Sequence, residues 1–199
     1  MNLQILTLIL SLTNGGSSHI PSADTCSVKG IYTSQSADVT PLQELIEKRA
    51  FVLQTKLEPN DSFTIATVAT EVGEQFKLSP VFILALIEIE SRYSKKAKSK
   101  KGCQGLLQIS KHTGKYLVDK FQMTGDIFAD ISKNIFLGVA YLHELIEQQG
   151  SLMKAVTIYN KGYGNWIKNP KISGYAFVIN KRFRHLKSLL IKDQMTCNK

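Results

Sequence analysis

An all-α domain is what this sequence predicts, with roughly six to eight helices around one central buried helix. Three observations lead there. No stretch alternates apolar and polar residues for the length of a good strand. Two cap-then-proline pairs, Thr40-Pro41 and Ser79-Pro80, announce helix starts. The run VFILALI, residues 81–87, is apolar on every side, as expected of a helix that others surround.

Residues 1–23 read as an export signal. The apolar core LQILTLILSL at 3–12 is about ten residues long, too short to span a bilayer as a mature helix. No Lys or Arg precedes it, so the terminal amine alone supplies positive charge there. The small and polar stretch TNGGSSHIPSA follows, and cleavage is expected between Ser18 and Ala23. Residues 24–39 show no sustained period and are rich in Ser and Thr, which predicts a linker or surface arm.

The folded domain is expected over 40–192, with a tail at 193–199. Thr40 caps its first helix, Gln43 sits at the capping-box position, and Leu42, Leu45, Ile46, Leu53 and Leu57 form the stripe. Asn60-Asp61-Ser62 ends that element and caps the next, whose inner face is Ile65, Val68, Ala69, Val72 and Phe76. The central helix opens at Pro80 and ends in IEIESRY. A lysine-rich loop, SKKAKSKKGCQG, and the short segment GLLQIS come next. Further helices are expected near 111–121, from the Asp130 cap to Gly150, over 151–160, and over 174–191, with KGYGN as the break before the last.

A chain of 199 residues with 43% hydrophobic and 21% charged residues has the balance of one globular domain, which excludes disorder or a fibre as the dominant state. Lys and Arg outnumber Asp and Glu by 25 to 16 for a formal charge of +9, favouring an anionic partner such as nucleic acid, a membrane surface or an acidic wall polymer. Zinc-finger spacing and aromatic-basic interleaving are absent, so nucleic acid is not expected. After signal removal no stable membrane insertion is expected. Cys26, Cys103 and Cys197 have neither zinc-ligand nor CxxC spacing, so no metal or cofactor is expected. A disulfide between two of the three is open, and Cys26 with Cys197 would tie the two ends of the domain.

The chemistry centres on Glu90. It lies in the last turn of the apolar helix, flanked by Ile87, Ile89 and Tyr93. Burial and the negative end of the helix dipole both disfavour its anion and raise its pKa, the state a proton donor needs. Glu88 is two residues away, a rotation of roughly 200°, so it points to the opposite face and is expected to be a solvated polar interruption. Asp119, Asp126 and Asp130 lie on later elements, leaving one good carboxylate and no evident second.

These residues fall in a wider pattern. IEIESRYSKKAKSKKGCQGLLQIS at 87–110, NIFLGVAYL at 134–142 and IYNKGYG at 158–164 come in order and spacing that resemble the catalytic domain of soluble lytic transglycosylases. The resemblance covers about residues 75–190 and implies the lysozyme-like α-helical fold shared with goose-type lysozyme. It implies Glu90 as catalytic acid and base, Ser99 as a residue orienting the sugar, Gln108 lining the groove, Tyr159 and Asn160 beside the glutamate, and Tyr175 opening the last helix. GLLQ replaces GLMQ, Cys103 replaces a smaller residue, and ISGYAFV lacks the Thr-Arg that precedes the family's tyrosine.

The implied reaction cuts the β-1,4 bond between N-acetylmuramic acid and N-acetylglucosamine in peptidoglycan strands and closes a 1,6-anhydro ring, without metal or cofactor. Alternatives that keep the fold are a hydrolytic muramidase and a non-catalytic wall-binding protein. A periplasmic or secreted location follows, and the small catalytic domain also resembles transglycosylases that open the wall for secretion or conjugation machinery.

Overall fold

The computed structural model describes residues 32–197, with side chains from Val39 onward apart from Gln194, Thr196 and Cys197. The expected export signal, Cys26 and the first part of the expected arm lie outside the described residues, as does the question of their disulfide. Among the described residues eight helices follow in order: α1 (Tyr32–Val52), α2 (Asp61–Phe76), α3 (Pro80–Ser91), α4 (Lys111–Phe121), α5 (Ile131–Gln149), α6 (Leu152–Lys161), α7 (Tyr163–Lys168) and α8 (Gly174–Cys197). Isolated bridges, Lys98 with Gln104 and Gln104 with Ile109, shape the loop between α3 and α4.

The centre is α3. Every residue from Val81 to Glu88 is buried, as the all-round apolar run requires. It packs against α2 on one side and α8 on the other, where Phe82 meets Phe183 edge-on with ring centroids 5.7 Å apart. Each such apolar side chain contributes about 1.5–3 kcal/mol on burial. Capping chemistry sets several starts: Ser110 accepts from Thr113 N, and Asp130 accepts from Lys133 N, each at 3.0 Å. Gly150 ends α5 at φ 61°, a left-handed conformation for which glycine is suited.

The structure departs from the sequence reading in four places. First, α1 starts well before Thr40, and Pro41 lies inside it rather than in a first turn. The apolar stripe explains this: Val39 is buried along with Leu42 and Ile46, so tertiary packing carries the helix past a residue that lacks the N–H for one backbone bond. Second, KGYGN does not simply break the chain but leads into the short α7, none of whose residues is buried. Third, α8 extends beyond residue 191.

The fourth departure is Glu88. It is not solvated but 2% exposed, and its carboxylate is held by two arginines. From α1, Arg49 donates to both oxygens at 2.7 and 3.1 Å; from α8, Arg182 reaches Oε1 at 2.9 Å. The Tyr93 hydroxyl adds a donor at 3.3 Å, since two successive left-handed residues, Arg92 and Tyr93, fold the exit of α3 back on itself. A buried carboxylate is tolerated only when paired and hydrogen-bonded, and here both conditions are met. Glu88→Ala, which strands two guanidinium groups, is expected to cost roughly 3–5 kcal/mol of folding stability, read as a lowered urea midpoint.

Candidate active site

Glu90 comes from the last turn of α3, on the face opposite Glu88. Its Oε1 accepts a hydrogen bond from the Tyr175 hydroxyl, which the first turn of α8 delivers. Tyr175 is itself steadied because the backbone N–H of Ser173, just ahead of α8, donates to Thr157 Oγ1 of α6 at 3.2 Å. Burial pushes the Glu90 carboxyl above its ordinary range, and the Tyr175 hydrogen bond opposes that in part by favouring the anion. Burial and the neighbouring Glu90 charge push the Tyr175 hydroxyl far above its own ordinary value, so it stays a donor.

Tyr159 of α6 stands beside this pair. Its hydroxyl donates to Leu107 O at 2.7 Å, and burial together with the Glu90 field raises its pKa well above the usual phenol range. On its other side Tyr159 lines a cleft of about 310 Å³ together with Gln108, Asn160, Tyr141, Cys103 and Lys101. Among the described residues that line it there is no Asp or Glu. Glu90, Ser99 and Tyr175 are not part of that lining; Tyr159 joins the glutamate to the cleft.

The segment carrying Gln108 is held by side chains that no role had been given. Asn134 of α5, fully buried, accepts from Leu107 N at 2.8 Å, and its amide donates to Ile127 O at 3.2 Å. Gly105, at φ 80°, packs so closely that a Cβ would lie 2.2 Å from the Asn134 amide. Gly138, inside α5, leaves room for Leu107: a Cβ there would lie 2.7 Å from the Leu107 Cβ and 3.0 Å from the Tyr159 hydroxyl. A glycine within a long apolar helix is unfavourable by about 1 kcal/mol relative to alanine, so its presence signals a close approach. That signal was in the sequence.

Of the expected site residues, Glu90, Tyr175 and Tyr159 come together, and Gln108 and Asn160 share the adjoining cleft with Tyr159. Gln108, at φ 48°, turns its amide back onto Ala97 O and Gly105 O at 3.1 and 2.9 Å, which fixes the loop as well as lining the cleft. Ser99 accepts from Cys103 N at 3.0 Å and closes the tip of the lysine-rich loop. Part of that loop's charge is already neutralised: Lys95 pairs with the buried Asp61 at 2.8 Å and Lys96 with Glu58 at 3.5 Å. Cys103 is a free, partly exposed thiol.

Tyr175→Phe removes the donor that favours the Glu90 anion. Glu90 then titrates at still higher pH, and the alkaline limb of a pH–rate profile should move up, with the maximal rate falling about a hundredfold. An unshifted limb in that variant contradicts the assignment of the limb to this pair.

The chain is 30% identical over 129 residues to the soluble lytic murein transglycosylase of Escherichia coli strain K12, an alignment covering 60% of this chain and 19% of that protein. The same figures hold for the protein of that name from Escherichia coli O157:H7. The chain therefore spans about a fifth of the length of the curated relatives it matches. A solved structure of an inactive mutant of the lytic transglycosylase Slt from Pseudomonas aeruginosa superposes with a TM-score of 0.48 at 22% identity, covering 75% of this chain and 27% of that one. The model of the Transglycosylase SLT domain matches residues 67–176, more than half of the chain and the whole of the Glu90 site, and the chain belongs to that family.

Proposed function

We propose that this protein is a peptidoglycan lytic transglycosylase with Glu90 as its single acid and base. The observation that carries the reading is a desolvated Glu90 carboxyl held by the Tyr175 hydroxyl, while the nearest carboxylate in sequence, Glu88, is committed to two arginines. Two-carboxylate glycosidases need a second acid on the same bond, about 5–9.5 Å from the first. A single proton carrier suffices when the nucleophile belongs to the substrate.

In the proposed mechanism Glu90 carries one proton through two steps. Protonated Glu90 donates to the oxygen leaving C1 of N-acetylmuramic acid as positive charge develops on the sugar. The carboxylate so formed keeps the Tyr175 hydrogen bond, which strengthens on a charged acceptor and stabilises the base for the next step. It then takes the proton of the sugar's own C6 hydroxyl, whose oxygen attacks C1 and closes the 1,6-anhydro ring. Tethering of that hydroxyl replaces an activated water. Gln108, Tyr159 and Asn160 line the cleft that receives the sugar, and exposed Lys98, Lys100 and Lys101 attract the carboxylates of peptide stems. Ser99 orients the sugar indirectly, by holding the loop that bears these lysines.

A wall substrate implies work in the periplasm or outside the cell, and the apolar run at 3–12 supports export. Secretion or conjugation machinery that must cross the wall is the partner this activity suits. Incubating the purified protein with insoluble sacculi tests the enzyme reading: soluble muropeptides should accumulate. Binding to sacculi without release of fragments identifies a wall-binding protein instead.

A further inference from the structure

The mechanism uses Glu90 and leaves unexplained why the carboxylate two residues earlier is buried between α1 and α8. Phe82 of α3 meets Phe183 of α8, and Ala176, Ile179 and Leu186 of α8 are buried in the shared core, but such apolar burial is non-directional. It holds the two helices together without fixing the position of α8 along its axis to a few tenths of an ångström. Tyr175 needs that precision, because it sits in the first turn of α8 and must meet one oxygen of Glu90.

Polar side-chain contacts between described residues tie α8 to α3. One is Tyr175 to Glu90; another is Arg182 to Glu88 at 2.9 Å. Arg182 follows Tyr175 by seven residues, two helical turns or roughly 10 Å, so both side chains lie on the same face of α8. Glu88 is in turn clamped by the Arg49 fork from α1 and by the Tyr93 hydroxyl, leaving it little freedom to follow a moving partner. Buried ion pairs are poor sources of net stability, and their best-attested use is to set register.

We propose that the Arg49–Glu88–Arg182 cluster is a positioning device for the active site, locking α8 against α3 so that the Tyr175 hydroxyl is delivered to the Glu90 carboxylate. It rests on the transglycosylase reading for its effect on rate, and on geometry alone for its effect on Glu90. Among the described residues Tyr175 from α8 bonds to Glu90 and Tyr159 from α6 feels its charge, whereas Arg182 bonds to Glu88 and, in this proposal, acts through Tyr175. Arg182 is therefore a positioning residue.

A double-mutant cycle tests this on the full chain, using Arg182→Gln, Tyr175→Phe and the pair. Two readouts are taken: the rate of muropeptide release, and the titration of the Glu90 carboxyl followed by carbon NMR on glutamate-labelled protein. Arg182→Gln should lower the rate about tenfold and raise the Glu90 midpoint in the same direction as Tyr175→Phe. In the Tyr175→Phe background it should change neither readout by more than about a factor of two. An unmoved midpoint, or equal effects in both backgrounds, overturns the proposal. Thermal unfolding monitors the fold; should Arg182→Gln not fold, Arg182→Lys, which keeps the charge and loses the fork, runs through the same cycle with the same criteria. If the wild-type protein releases no fragments, the transglycosylase reading fails, and the titration still decides whether the cluster places Tyr175.

Discussion

Glu90→Gln is expected to lose peptidoglycan cleavage by at least about a thousandfold while folding normally and becoming more stable than the wild type at neutral pH. The loss follows because one side chain both gives and recovers the proton, and an amide does neither. The gain in stability follows from linkage. Burial raises the folded-state pKa of Glu90, so the folded state binds its proton more tightly than the unfolded chain does. The stabilisation from that proton is complete below the unfolded value of about 4.3 and is lost as pH rises through the folded value. Glutamine, which resembles the protonated acid and cannot ionise, escapes the loss. Urea unfolding at about pH 4 and about pH 8 should therefore show matched stabilities at the lower pH and an advantage for the variant at the higher. Equal stabilities at both pH values contradict a desolvated Glu90.

Asn134→Leu should have the second largest effect, and it lies away from the reacting bond. The side chain is fully buried on α5 and gives the GLLQ segment its hold: Leu107 N donates to its oxygen, and its amide serves the Ile127 carbonyl, with longer contacts to Gln104 O and Phe128 O. Leucine fills a similar volume but strands a buried N–H and removes the donors to these carbonyls, at a cost of roughly 1–3 kcal/mol for each group left unmet. The urea midpoint should fall accordingly. Below that midpoint the rate should still drop about a hundredfold, because Gln108 and the Leu107 carbonyl that anchors Tyr159 both ride on this segment, and misplacement by an ångström at an active site has that consequence. Unchanged turnover in a destabilised variant contradicts a role for Asn134 in shaping the cleft.

Local patterns in the chain were enough to read most of the scaffold. The apolar run at 81–87 announced the buried α3, and Asp130 stood where its cap does. Pro41 misled because a proline is equally at home in a first turn and, when packing compensates, inside a helix; the stripe beginning at Val39 was the better signal. Glu88 was misread for a different reason. Its burial depends on Arg49 and Arg182, which are distant in sequence, and helical rotation correctly separated it from Glu90 without saying what lay on its own face. Long-range pairing leaves no periodic trace.

The site divides in the same way. Glu90 stood out from its place in an apolar helix, and motif resemblance supplied Gln108, Tyr159, Asn160 and Tyr175. Why Asn134 and Gly138 belong to the pattern became clear only from three dimensions. One holds the Leu107 backbone, and the other lacks the side chain that would block it. The missing Thr-Arg ahead of Tyr175 did not prevent α8 from presenting its hydroxyl to Glu90, since Ser173 and Arg182 anchor that helix through Thr157 and Glu88.

One measurement bears most directly on a lone carboxyl working without an activated water: digestion of purified peptidoglycan in water enriched in heavy oxygen, with mass analysis of the fragments. The muramic ends should be 1,6-anhydro, lighter by one water than hydrolytic products and free of isotope label. Reducing muramic ends that carry the heavy oxygen would show that water is the nucleophile and that Glu90 does not work as described.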